Sequence, residues 1–209
     1  MLKNAFYDVF NDSWPMLIII LVIISSLRIT YLITKHKRFG LHKEIIYLIS
    51  IIYILCLFHV VTFQDNNYGV SNFIPFKEIF RYSIGSSKFI KNILGNIMLF
   101  VPYGFLASYL LNNKKFSVIT ILTLIVSLTI ETVQYYIGRV FDIDDIILNL
   151  LGGIIGFLIF VGIDAIRSKV KIFRNDTVLD ILIIIILALI IIYSFNINLF
   201  GMIGEYYNV

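Results

Sequence analysis

Six apolar runs dominate the chain: Trp14–Ile33, Ile45–Phe63, Asn92–Leu111, Phe116–Ile137, Ile146–Ile163 and Val178–Leu199. Each is 18 to 22 residues long and carries at most one charged residue, close to the ~20 residues that cross a bilayer core as a helix. Hydrocarbon offers no partners for backbone N–H and C=O groups, so each run is expected to be a helix that satisfies its own. The pattern predicts an all-α, polytopic transmembrane bundle of about six spans in a single domain covering 1–209.

Only the connection Gln64–Lys91 is long. In it Phe76, Ile79, Phe80, Ser83 and Ile84 share one side of a helical projection, while Lys77, Glu78 and Arg81 share the other, directly after Pro75. Proline suits a first helical turn, so a short interfacial helix is expected between spans two and three. Trp14, Tyr68, Tyr103, Tyr206 and Tyr207 lie near or beyond span ends, where aromatic rings gather at membrane interfaces.

Composition agrees with the pattern. Hydrophobic residues make up 59%, charged residues 14%, and the mean hydropathy is +0.93; a soluble domain carries roughly 25% charged residues. The net charge of +4 is spread among loops rather than pooled, which argues against a nucleic-acid partner. Ten Lys and Arg residues fall in the connections after spans one, three and five, and six on the other side. The positive-inside rule then places both termini outside the cytoplasm. The N-terminus lacks a basic n-region, so the first run reads as a permanent span. Cys56 is the single cysteine and excludes an intramolecular disulfide or a zinc-type cluster.

Candidate chemistry lies in the polar residues of the spans. Glu131, Gln134 and Tyr135 share a face of span four, and a carboxylate at bilayer depth is a site hypothesis by default. After Gly138 and Arg139, the residues Asp142, Asp145, Asn149, Gly152 and Gly156 form one stripe leading into span five. Acidic groups also favour helix N-termini, so Asp142 or Asp144 is expected to serve as a cap. The glycines allow close helix approach and point to tight packing of span four on span five. In span three Asn92, Asn96 and Tyr103 lie along one side, and Pro102 is expected to kink the helix. Arg28 is expected to snorkel. Asp180 and His59 read as interfacial or satisfied groups.

Four blocks carry a family resemblance: Asn72-Phe73-Ile74-Pro75-Phe76; Asn92 to Asn96 running on through Phe100-Val101-Pro102-Tyr103-Gly104-Phe105; Glu131-Thr132-Val133-Gln134; and Gly138-Arg139 through Asp142-Ile143-Asp144-Asp145 to Asn149-Leu150-Leu151-Gly152-Gly153. In this order, over roughly 72–157, the sequence resembles the VanZ-like family, named for a teicoplanin-resistance protein of Gram-positive bacteria. The resemblance implies a multi-pass protein of a bacterial cell membrane and lower susceptibility to teicoplanin-type lipoglycopeptides. It supplies no catalytic residue and no cofactor.

Three functions follow from the residues. An envelope-altering protein would use Glu131 or Asp145 as general acid or base, which requires burial and acidic neighbours to bring one carboxyl's proton affinity near neutrality. Asn92, Asn96, Gln134, Arg139, Asp142 and Asn149 would bind the substrate, a lipid-linked envelope precursor or the lipoglycopeptide itself, with Arg139 on a phosphate or carboxylate. A lipid carrier or flippase would instead line a path with these groups. A scaffold would use them to tie helices together. Oxygen-rich clusters also suit hard cations, but no His joins this one, and neither metal nor cofactor is assigned.

Overall fold

Most apolar runs become helices longer than the runs themselves, because polar first and last turns extend them, whereas the run Phe116–Ile137 becomes a helix of almost its own length. A computed structural model describes residues 2–36, 40–63, 71–83, 85–170, 175–181 and 184–185. Its main helices are α1 (Leu2–Thr34), α2 (Leu41–Phe63), α3 (Ser87–Leu111), α4 (Phe116–Tyr136) and α5 (Ile143–Lys169). α2 to α5 are long and apolar enough to cross a membrane, and α1 contributes a shorter apolar stretch, Ile18–Thr34. The sixth expected span starts within helical residues 176–181 and continues outside the described residues, as do Tyr68, Ile84, Tyr206 and Tyr207.

α5 begins at Ile143, before its apolar run, because the Asp142 carboxylate accepts the Asp144 N–H at 2.9 Å and caps the helix. Arg167 and Lys169 close its last turn, where cations complement the helix dipole. α3 opens with a π turn over Ile90–Leu94, in which the Gly95 N–H reaches back to the Ile90 carbonyl.

α3 and α5 form the closest pair, α4 packs along α5, α2 leans on α3, and α1 lies on α2. Phe100 and Leu106 of α3, Ile119 of α4, and Ile146, Phe157 and Phe160 of α5 fill the interior. The outside is apolar as well: Ile19, Val22, Leu27 and Ile33 of α1 are each more than half exposed. Such a surface is costly in water but costs nothing against acyl chains.

The glycine stripe correctly signals close approach, but it serves two neighbours. A Cβ on Gly153 would overlap Thr123 of α4, whereas one on Gly152 or Gly156 would overlap the Ile97 or Val101 carbonyl of α3. Gly152 and Gly156, four residues apart, keep to the α3 side, and Gly153, one residue and about 100° further round the helix, turns to α4. Pro102 lies inside a helix that continues to Leu111; beside it, the Leu99 carbonyl accepts the Tyr53 hydroxyl at 2.7 Å, so the backbone next to the lost bond is engaged by α2.

At the other end of the bundle one expectation changes and another holds. Arg28 does not snorkel: its guanidinium holds both Glu44 oxygens at 2.9 and 3.0 Å and lies 4.3 Å from the centre of the Tyr47 ring. A bidentate carboxylate partner on the next helix is among the stronger contacts a guanidinium makes. Asp180 is satisfied by His42, whose N–H and Nδ1 both lie 2.7 Å from its Oδ1. Nearby, Asp176 accepts from Lys43 at 2.6 Å and from Arg167 at 3.2 Å. Residues 176–181 are thus strapped by two carboxylates to the start of α2 and the end of α5.

The Lys43 ammonium, hydrogen-bonded to Asp176, holds that carboxyl below its ordinary 3.8. A lowered folded-state value means that the attraction is fully present above the unfolded value and is lost as pH falls through the folded one. Because Asp176 is half exposed, its pairs with Lys43 and Arg167 contribute at most ~1 kcal/mol. After correction for intrinsic rates, hydrogen exchange in 176–181 should rise relative to α3 only below about pH 4, and Asp176→Asn should weaken that pH dependence, leaving the part carried by Asp180, whose carboxyl the His42 hydrogen bonds also hold below its ordinary 3.8.

Candidate polar site at one end of the bundle

α4 carries its polar groups inward. Thr123, Ser127, Glu131 and Gln134 are all buried, at helical spacings that hold them in one row. The facing row of α5 matches it step for step: Gly153 lies against Thr123, Asn149 donates to the Ser127 hydroxyl at 2.9 Å, and beyond them Glu131 reaches the turn that starts α5.

Glu131 is 1% exposed. Its Oε2 accepts the Asp142 N–H at 2.9 Å. The Gln134 amide serves both neighbours when its nitrogen donates to Glu131 Oε1 at 3.1 Å and its oxygen accepts from Arg139 at 2.9 Å; amide orientation is assigned from such networks. Arg139 is further tied by its own N–H to the Gln134 carbonyl at 2.9 Å, across a turn in which Gly138 takes a φ of +86°, a region open to glycine. Asp145 accepts from Asn96 of α3 at 2.5 Å and lies within electrostatic reach of Glu131, Asp142 and Arg139. The cluster therefore joins α3, α4, α5 and the α4–α5 turn.

A second layer comes from the long connection. Asn72 pairs with the α5 entry as an isolated bridge: its N–H donates to the Phe141 carbonyl at 2.8 Å, and its carbonyl accepts from Ile143 at 3.0 Å. Its side-chain amide donates to Asp142 at 2.9 Å, and the Phe73 and Phe141 rings stack 5.3 Å apart. Burial raises the Asp142 carboxyl above its ordinary 3.8, against hydrogen bonds from the Asp144 N–H and Asn72 that favour the ionised form.

Asp144, also 1% exposed, accepts the N–H groups of Phe76 at 2.5 Å, Glu78 at 2.7 Å and Ile79 at 3.2 Å. This carboxylate explains why the connection holds less helix than its periodicity suggests. Phe76 adopts a φ of +65°, which interrupts an α-helix begun at Pro75; the N–H groups such a helix would leave open go to Asp144, and a 3-10 turn, Ile79–Arg81, remains.

Of the residues singled out from the sequence, Glu131, Gln134, Arg139, Asp142, Asp145 and Asn96 come together. Asn92 does not join them. It donates to the Tyr82 hydroxyl at 3.0 Å: it lies within the π turn, whose extra residue shifts the register, whereas Asn96 follows that turn. Asn149 lies deeper, as a buried tie to Ser127. Asn72 and Asp144 are the residues the sequence reading left without a site role. The clue to both lay in the family blocks, Asn72 in the first and Asp144 in the last, but nothing local to Asp144 names its partners on the 71–83 connection. Among the described residues, no three His, Cys, Asp or Glu side chains are grouped to hold a metal ion.

Comparison with known proteins gives a family. A family model described as VanZ/LLP1 matches residues 44–167, more than half of the chain and all of α3, α4 and the site. No curated protein and no solved structure matches the chain.

Proposed function

The chain belongs to the VanZ/LLP1 family, and on that footing we propose that it alters the bacterial cell envelope and lowers susceptibility to teicoplanin-type lipoglycopeptides. The cluster around Glu131, Arg139 and Asp145 faces away from the cytoplasm and acts on a lipid-linked or surface substrate. One observation supports this reading most directly: two carboxylates on neighbouring helices, Glu131 and Asp145, share a network with an arginine at the bundle end that carries fewer basic residues. Glu131 or Asp145 moves a proton, Arg139 holds an anionic group, and Asn96, Gln134 and Asp142 orient these side chains.

A scaffold role also has an observation in its favour, since both Glu131 oxygens are engaged within the protein. Glu131→Gln and Asp145→Asn separate the two. For a working site, each variant accumulates in the membrane at the parent level while teicoplanin susceptibility returns to that of cells lacking the protein. For a scaffold, membrane accumulation falls together with resistance. Mass spectrometry of envelope lipids from cells with and without the protein divides an enzyme, which leaves a new covalent species, from a lipid carrier, which does not.

A further inference from the structure

Large apolar side chains cluster on the 71–83 connection, yet they face away from the protein. Phe80 is 82% exposed, Phe73 66%, Ile74 62% and Phe76 50%. A flexible loop would fold such groups inward, but here the backbone is fixed by the Asp144 carboxylate, the Asn72 bridge and the Phe73–Phe141 stack. Lys77, Arg81 and Lys88 are exposed on the same connection and the first turn of α3, against the single carboxylate of Glu78, which is half-buried. The end of α4 adds Tyr136, 82% exposed.

Helix length fixes what lies beside this surface. α3 and α5 run 25 and 27 residues, about 37 and 40 Å at 1.5 Å per residue, whereas the hydrocarbon core is about 30 Å thick. Their ends stand in the headgroup layer, and so does the connection bound to them. The geometry points to a preformed wedge: the 73–80 loop docks on the phospholipid surface of the membrane the helices cross. Phe80, Ile74 and Phe76 enter the boundary between headgroups and acyl chains, and Lys77, Arg81 and Lys88 meet lipid phosphates. Rings and aliphatic chains gain by leaving water at this depth, and long basic side chains reach phosphate from it. The wedge holds whether or not the neighbouring carboxylates perform chemistry.

The full chain in phosphatidylcholine vesicles tests this. With Trp14→Phe removing the natural indole, Phe80→Trp places one reporter on the wedge, and Ile74→Trp supplies a second should the first fail to accumulate. The expected result is blue-shifted emission that loses most of its intensity to a lipid spin label near the carbonyl end of the acyl chain, less to one near the chain terminus, and little to aqueous iodide. Strong iodide quenching with no response to the shallow label would overturn the proposal by placing the loop in water. Quenching by none of the three would overturn it by showing the surface covered by the chain itself or by a second copy.

Discussion

Gly156→Leu is expected to be the most damaging substitution in the bundle, with folded protein nearly lost from detergent extracts at temperatures the parent survives. The Gly156 Cα sits where any Cβ would overlap the Val101 carbonyl and the Phe105 nitrogen. Both are helix backbone and cannot rotate away, so α3 and α5 would have to separate along their closest contact. Overpacking in a well-filled core commonly costs 1–3 kcal/mol; displacing a helix as well should exceed 4 kcal/mol, a value reached by few single substitutions. Size-exclusion profiles after graded heating measure the effect. A Leu variant as heat-stable as the parent would mean that the two helices do not meet at this glycine.

Asp144→Ala should come second, with a different signature. Three backbone N–H groups lose their acceptor, and each buried donor left without one costs about 1–3 kcal/mol. Part of this is recovered when the loop opens to water, so a net loss of about 3–5 kcal/mol is expected, as for breaking a buried charged contact. The damage should stay local: hydrogen exchange at Phe76, Glu78 and Ile79 should accelerate by orders of magnitude, while α4 and the lower half of α5 keep their protection. Asp144→Asn should fall between parent and alanine, because one oxygen still accepts while the amide nitrogen faces donors. Equal protection of 76–79 in all three proteins would remove the clamp from the account.

The number and order of the helices could be read from the chain because hydropathy is a local property, and lipid leaves the backbone one solution for each run. The inward row of α4 was partly readable: Glu131 and Gln134 announce a shared face through spacing alone, but Tyr135, grouped with them by the same spacing, lies exposed. Contacts across the sequence were harder. Asp144 looked like one of several helix-starting acids, and nothing near it reveals that its oxygens meet Phe76, Glu78 and Ile79. Arg28 resembled an interfacial cation until Glu44 of the next helix was placed beside it. The π turn at Ile90–Leu94 leaves no mark in composition, so Asn92 and Asn96 looked equivalent when they are not. Where the partner lay within a turn or two, the sequence sufficed; where it lay on another segment, only the fold could choose among equivalent side chains.

The bridge between Asn72 and the start of α5 also constrains how the chain is made. Its two sides are separated by two complete membrane crossings, α3 and α4. During synthesis the 71–83 stretch must therefore wait, with its N–H groups hydrated, until Asp142 and Asp144 emerge and arrive. The polar end of the molecule cannot close before both of these helices have crossed. Assembly thus has a direction, in which insertion of α3 and α4 comes first and the fastening of the polar end follows.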